Sequence, residues 1–418
     1  MEYNSNLARR MMLVGVWVLI LLMPFEINPQ QPKRSTSVRE TKKPTPNVRF
    51  ASGNSALKIP FELDGNIILL RVRVNNSKPL KFVLDTAASI TVINPKRVAE
   101  LRLKTQGQVQ GRGTGGAIQA SLIKGVSLNV PGVTISNQLI AAVSFGAFPC
   151  YPIDGIVGYD FINEFVVEID YQSKFLNLYD PRSFTYSGKG AVIPISLAGR
   201  TPVTRAKIVV EGRETVEGNF EVDTGADGTL VVSSLFAKKQ KLLEAIPKTI
   251  QSTGVGAGGE EEILVGRIKR VELGRLIIDN PTIGLAQDSE AEKHDGILGG
   301  EILRRSKVIF DYSRKQMILE PNSSFGNPYE VDMSGISLRA DEDDCKILKI
   351  GRVTENSPAA EAGLQAGDII TAIEGKPTSS FASTELEQLF KQNGKELTLT
   401  IKRGEDLIQR KIKLRRLV

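Results

Sequence analysis

A chain of 418 residues with 41% apolar content can bury more than one core, so two or three domains are expected and disorder of the whole chain is excluded. The net charge of +7 is spread along the sequence with no basic cluster interleaved with aromatics, which argues against a nucleic-acid partner. One histidine, His294, leaves too few ligands for a zinc site and a single base for any Ser-His-Asp or Cys-His arrangement.

The N-terminus carries Arg9 and Arg10 and then MMLVGVWVLILLM, an apolar run ended by Pro24. That run is short for a spanning helix of ~20 residues and suits the apolar core of a secretory signal. No A-x-A-like site follows it, and the nearest small-x-small triplet is Ser35-Thr36-Ser37. Residues 1–25 are therefore read as a signal peptide or an uncleaved N-terminal membrane anchor, and either one puts most of the chain outside the cytoplasm. Residues 26–55, rich in Pro, Ser, Thr and charge, read as a linker. The two cysteines, Cys150 and Cys345, fall far apart and in different predicted domains, so no disulfide framework is expected.

Beyond the linker the sequence repeats itself. FVLDTAASITVI from Phe82 returns as FEVDTGADGTLVV from Phe220, with Asp85 and Asp223 138 residues apart. GRGTGG from Gly111 returns as GVGAGG from Gly254, DGIVG from Asp154 as DGILG from Asp295, and EIDYQSKFLNL as IFDYSRKQMIL. Four landmarks in constant order and near-constant spacing make residues 56–183 and 191–322 two copies of one fold. Runs such as NIILLRVRV and EFVVEID, broken by Gly, Asn and Pro, predict short strands, with helix confined to pieces such as Leu235 to Leu243. Each copy is thus an all-β lobe, and a duplicated pair invites a ligand cleft between its halves.

An Asp-Thr-small triplet after a strand in each of two related lobes lets an approximate two-fold axis bring two carboxylates face to face. Such a pair, within ~3 Å, shares one proton. The charged member can take a proton from water while the neutral one donates to a carbonyl. With these motifs, and with Ile156-Val157-Gly158 and Ile297-Leu298-Gly299 in matching places, the sequence resembles the aspartic proteases of the retropepsin and pepsin type. The resemblance implies Asp85 and Asp223 as the catalytic dyad, Thr86 and Thr224 as reciprocal braces between the loops, and flaps around Gly113 and Gly256. It implies no metal and no organic cofactor, and polypeptides as substrates.

Two departures from that family stand out. Ala87 occupies the place that Gly225 fills in the second loop, and its Cβ costs about 1–2 kcal/mol only if the backbone takes positive φ. Ala88 and Ala226 follow, as in retroviral-type enzymes, where pepsin-like ones place a hydroxyl, so a pH optimum nearer neutral is expected. Several smaller motifs take ordinary structural readings. GRGTGG satisfies G-x-G-x-x-G but follows no βαβ unit. Asp154 and Asp295, each before glycine, read as turn formers, and the DEDD run from Asp341 lacks the glycine and ligand spacing of a calcium loop.

Residues 329–418 change pattern to strands KILKIGRV, DIITAIEG, ELTLTIKRG and IQRKIKLRRL with one helix from Thr384 to Gln392, capped by Thr384 and Glu387. VTENSPAAEAGLQAGDIITAIEGKP resembles a PDZ domain, especially those of bacterial envelope proteases. The resemblance implies a small α+β module that binds a peptide C-terminus beside a strand, with its loop at Gly335, Ile336, Ser337 and Leu338 and its helix offering Leu386 and Leu389. Packing of this module against the protease lobes is the structural alternative. The chain reads as a mainly β extracytoplasmic aspartic endopeptidase with a PDZ domain for recruitment or regulation; the alternative is a catalytically impaired peptide-binding protein of the cell envelope.

Overall fold

The computed structural model describes residues 46–113, 116–146, 150–287, 294–341 and 343–418, and the backbone of 16–18 and 22–23. The reading of residues 1–25 as a targeting segment lies outside the described residues apart from those two stretches. There the extended backbone of Val16–Val18 runs parallel to Thr253–Val255, and that of Leu22–Met23 runs antiparallel to Arg112–Gly113. No helix among the described residues is long and apolar enough to cross a membrane.

The β-branched runs form strands, as their composition dictates. The first lobe holds β1 (Ser55–Asp64), β2 (Ile67–Val74), β3 (Leu80–Leu84), β4 (Thr105–Gly113), β5 (Gly116–Val130), β6 (Gly155–Val157), β7 (Val166–Asp170) and β8 (Phe175–Tyr179). The second holds β9 (Ala191–Pro194), β10 (Thr201–Val209), β11 (Val216–Val222), β12 (Thr249–Gly256), β13 (Gly259–Arg267), β14 (Gly296–Leu298), β15 (Ser306–Asp311) and β16 (Gln316–Pro321). The helix expected from Leu235 to Leu243 is broken into Ser234–Lys239 and Leu242–Ala245, because Lys241 between them adopts a left-handed φ of 48°.

Six strands join the lobes in the order β9-β16-β15-β7-β8-β1, three from each copy. At its centre β7 pairs antiparallel with β15, Val166 opposite Asp311, Glu168 opposite Ile309 and Asp170 opposite Lys307. Equivalent residues of the two copies here lie 141 apart, so exchanging the copies maps this register onto itself. An approximate two-fold axis therefore passes between Glu168 and Ile309. Alternate residues of the sheet bury Val167, Ile169, Val308 and Phe310 in one shared core, which fixes the lobes relative to each other.

The C-terminal module is a six-strand sheet, in order β17 (Ile336–Ala340), β18 (Leu348–Val353), β19 (Ile369–Ile373), β20 (Glu396–Arg403) and β21 (Asp406–Lys413), with the two-residue strand Lys376–Pro377 beside β19 and α1 (Ser383–Phe390) packed on its core. Its own core includes Leu348, Ile350, Leu386, Phe390, Leu399 and Ile401. The capping expectation needs correction: Ala382 is the N-cap and Glu385, not Glu387, returns a bond to its N–H at 2.8 Å. Glu387 is instead drawn to Lys391 one turn later.

A second correction concerns the cysteines. Cys150, in the first lobe, and Cys345, in the β17–β18 connection, form a disulfide with Cα atoms 5.4 Å apart. A separation of 195 residues hides the pairing from the sequence, because proximity here comes from domain docking. Other ties hold the module to the lobes. Ser383 Oγ lies 3.2 Å from Asp64 Oδ1, Arg339 pairs with Glu260 at 2.8 Å, and Arg267 donates to the Tyr329 carbonyl at 2.8 Å.

Candidate active site

In each lobe an outgoing strand and a Gly-Ile-containing strand lie parallel and deliver one aspartate. β3 lies beside β6, with Leu84 opposite Val157, and the Asp85 N–H donates to the Val157 carbonyl at 3.0 Å. β11 lies beside β14, with Val222 opposite Leu298, and the Asp223 N–H donates to the Leu298 carbonyl at 2.9 Å. Small residues are required where these strands cross. A Cβ on Gly158 would approach the Ala88 carbonyl to 2.6 Å, and one on Gly299 would approach the Gly228 carbonyl to 2.4 Å. Asp154 and Asp295 are turn formers of matching role: their carboxylates accept from the Lys81 and Asn219 N–H groups at 2.7 and 2.8 Å.

The axis brings the two Asp-Thr loops together. Each threonine N–H donates to the other threonine's hydroxyl at 3.1 Å. Each hydroxyl donates onward, Thr86 to the Val222 carbonyl at 2.6 Å and Thr224 to the Leu84 carbonyl at 2.8 Å. This four-bond cross-brace is fully buried, so every donor and acceptor in it is satisfied by the opposite loop.

Asp85 and Asp223 meet beneath the brace, both fully buried. Asp85 Oδ1 accepts from the Ala87 and Ala88 N–H groups at 2.8 Å each, and Asp223 Oδ1 accepts from Gly225 N–H at 2.7 Å. The other oxygens, Asp85 Oδ2 and Asp223 Oδ2, receive no donor from the rest of the protein and are left to each other. Burial pushes the Asp85 carboxyl up to about 7, against the lowering pull of the Ala88 and Ala87 N–H groups. Burial, and next the charge of Asp85, raises Asp223 well above the usual carboxylate range. Two carboxyls in these surroundings hold one proton between them at neutral pH.

Ala87 is buried and its φ is not positive, so its methyl group strains nothing; it packs in a cluster with Ala226, Val231 and Ile263. Gly225 is different, since a Cβ there would stand 2.6 Å from Asp85 Cγ. Gly113 and Gly256 end the first strands of two hairpins, β4–β5 and β12–β13. The hairpin tips touch: a Cβ on Gly116 would lie 3.1 Å from the Gly258 carbonyl. Val255 packs with Val109, Ile118 and Ala120 of the other hairpin.

In the C-terminal module, Ile336 and Leu338 of β17 and Leu386 of α1 are buried in its core, with Leu389 packed against it and Ser337 half-buried. Among the described strands β17 pairs only with β18, and Gly335, Ile336 and Ser337 at its start line a small cavity with Ile250, Gln251 and Ser252 of the second lobe. The loop before it is largely self-satisfied. Asp332 Oδ1 accepts from the Ser334 and Gly335 N–H groups at 3.0 and 2.8 Å, and Ser334 Oγ accepts from Ile336 N–H at 3.0 Å.

Sequence reasoning missed residues around this centre. Asp227, four positions past Asp223, accepts from Asn66 N–H at 2.7 Å, while the Asn66 side chain donates to the Asp227 carbonyl at 2.6 Å. Only Asp227 carried a signal, by lying inside the repeated motif; Asn66 reaches it from the first lobe.

Two β lobes about a shared sheet, cross-braced Asp-Thr loops on the axis and a hairpin from each lobe define a two-lobed acid-protease fold followed by a PDZ module. The sequence agrees: the aspartyl protease family matches residues 70–161 and 206–302, and the PDZ domain family matches residues 349–403. The chain thus joins a duplicated aspartyl-protease module to a PDZ domain.

Relatives match over short stretches. PDZ and LIM domain protein 1 of Mus musculus is 42% identical over 74 residues, 18% of this chain and 23% of that protein. The periplasmic serine endoprotease DegP of Escherichia coli is 44% identical over 54 residues, 13% of this chain and 11% of that protein. A probable CtpA-like serine protease of Staphylococcus haemolyticus is 31% identical over 114 residues, 26% of this chain and 22% of that protein. The chain spans less than a quarter of the length of each.

Proposed function

We propose that the protein is an aspartic endopeptidase in which Asp85 and Asp223 activate a water molecule against a peptide carbonyl. The carrying observation is the pair of buried carboxylates whose Oδ2 atoms receive no donor from the rest of the protein, held in register by the reciprocal Thr86 and Thr224 bonds. With one proton between them, the ionised member takes a proton from water as the water oxygen bonds to the carbonyl carbon. The protonated member donates to the carbonyl oxygen, giving a tetrahedral diol. Collapse breaks the C–N bond, and the amine leaves with a proton from the dyad. No covalent intermediate forms, and the dyad regains its single proton from a diol hydroxyl as that oxygen becomes the carbonyl of the new carboxyl group.

The raised ionisation of both carboxyls supports activity nearer neutral pH than in pepsin-like enzymes, as the loss of a hydroxyl at Ala88 and Ala226 anticipates. The negative φ at Ala87 favours a working loop over an impaired one. The β17 edge, which pairs with no described strand other than β18, suits an extended polypeptide added as a further strand. Since the loop N–H groups of Ser334, Gly335 and Ile336 are already bonded, that polypeptide is read as an internal segment more readily than a chain end. An extracytoplasmic site of action follows from the disulfide, which persists in oxidising compartments, and accords with the periplasmic relative.

The test is cleavage of an unfolded protein by the full, disulfide-bonded chain from about pH 3 to 8, with Asp85→Asn and Asp223→Asn alongside. Each variant should lose about a thousand-fold or more in kcat, because the dyad acts as a unit. Cleavage that survives either substitution overturns the mechanism.

A further inference from the structure

The PDZ helix α1 presents two faces. Leu386 and Phe390 are buried in the module's core, while Ser383 and Glu387, and Lys391 just beyond its end, recur every four residues on one stripe. That stripe meets the lobes at Asp64 through Ser383, and the Lys391 side chain, bonded to Glu387, is only 21% exposed. The charges of Glu301 and Asp227, both from the second lobe, bear on Lys391. Glu301 binds Arg304 at 2.8 Å and Arg305 at 2.6 Å. Asp227 extends from the second Asp-Thr loop and is clamped by Asn66 from the first lobe. The fit is tight: a Cβ on Gly65 would stand 2.8 Å from Asp227 Oδ1, and one on Gly300 would stand 2.9 Å from the Asn66 Cβ. Gly300 N–H also holds the Ala226 carbonyl at 2.7 Å.

The charges that bear on Asp227 come from three domains. Burial first, and next the Glu387 carboxylate, push it up to about 7, whereas the Asn66 N–H and the Lys391 ammonium pull it down and Glu301 pushes it up. Arg304 and Tyr151 face the same carboxyl. Burial raises Glu301 too, but Arg304, and after it Lys391 and Arg305, hold it near 2, so it stays charged. Two of the groups that set the state of the second loop, Glu387 and Lys391, therefore belong to the PDZ module.

We propose that the docked PDZ module is part of the catalytic apparatus: its helix, seated through Ser383 on the Asp64–Asn66 turn that clamps Asp227, makes Lys391 a positioning residue for Asp227, with Glu387 as its opposing charge, and through Asp227 for the loop carrying Asp223. This rests on the dyad reading above. A segment that displaces α1 would move the counter-charge of Asp227.

The experiment uses the full oxidised chain with Lys391→Met, Lys391→Arg, Glu387→Gln and, as a control, exposed Lys411→Ala. Lys391→Met should lower kcat about ten-fold with KM little changed, as a loss of loop positioning does. Removing the cation should move the limb of the pH profile governed by Asp227 to higher pH, and Glu387→Gln should move it the other way. Lys391→Arg should restore the parent profile. Hydrogen exchange over residues 222–228 is followed in the same samples and should rise in Lys391→Met alone, with thermal melts showing that each variant is folded. Unchanged kcat, profile and exchange in folded Lys391→Met overturn the proposal, as does an equal effect of Lys411→Ala. A Lys391→Met that does not fold leaves the opposed shift of Glu387→Gln as the deciding readout, and its absence overturns the proposal. A parent that cleaves nothing sinks the dyad reading instead, and the exchange of residues 222–228 then decides the positioning claim by itself.

Discussion

The two Asp-Thr loops share a backbone and differ in what surrounds it. In the first loop Asp85 gathers two N–H groups, Ala87 buries its methyl group at no conformational cost, and the loop continues into small, buried Ser89. In the second loop the same position, 138 residues on, is Asp227, which ties the loop to Asn66 and brings it within reach of the PDZ helix. The glycine is also asymmetric, since Gly225 faces the Asp85 carboxyl too closely for any side chain. A duplicated fold thus keeps one brace on its axis and gives the outer contacts of each copy different work: Ala87 of the first loop packs on the second lobe, and Asp227 of the second loop binds Asn66 of the first.

The sharpest way to break that comparison is Gly225→Ala. Its Cβ must displace Asp85, so activity should fall about a hundred-fold and stability by about 1–3 kcal/mol, read from cleavage rates and denaturant melts. Wild-type rates in Gly225→Ala would mean that the loop is not confined as described.

The disulfide comes next. Cys345→Ser removes a bridge spanning 195 residues and should cost about 2–4 kcal/mol of docked-state stability, seen as a lower midpoint than the oxidised parent and no further change on adding reductant.

A third effect concerns pH. Asp85 has a folded value raised to about 7, so it favours the folded state fully below its unfolded value near 3.8. That contribution is lost as pH rises through about 7. Asp85→Asn should therefore be more stable than the parent above pH 7 by up to a few kcal/mol, and the gap should close below about pH 4. Parallel stability curves would count against a shared proton.

The smallest effect belongs to Ala87→Gly. Because the native φ is already negative, activity should change less than about three-fold, while the freer unfolded chain costs about 0.4–1 kcal/mol. A large gain in activity would restore the idea that this methyl group impairs the site.

Much of the architecture was legible because it is written twice. The duplication, the strands and the small residues at the crossings all follow from patterns local to a dozen residues. The role of Ala87 was legible only as a condition on φ, which the backbone then met. The helix near Leu235 and the cap of α1 were misread, since Lys241 turns left-handed and Glu387 prefers Lys391. The Cys150–Cys345 bridge and the approach of Asn66 to Asp227 left no trace, although Asp227 itself lies inside the repeated motif.

By itself, then, the sequence determined the repeated β lobes, the paired aspartates and the PDZ-like module, because hydrophobic period, turn chemistry and self-similarity act over short range. The tertiary structure decided what those pieces do to one another. A self-complementary register between β7 and β15 sets the axis on which the carboxyls meet. Domain docking sets which cysteine finds which, and which lysine faces the second loop, for groups more than a hundred residues apart have no local pattern to announce that they will share a low-dielectric site.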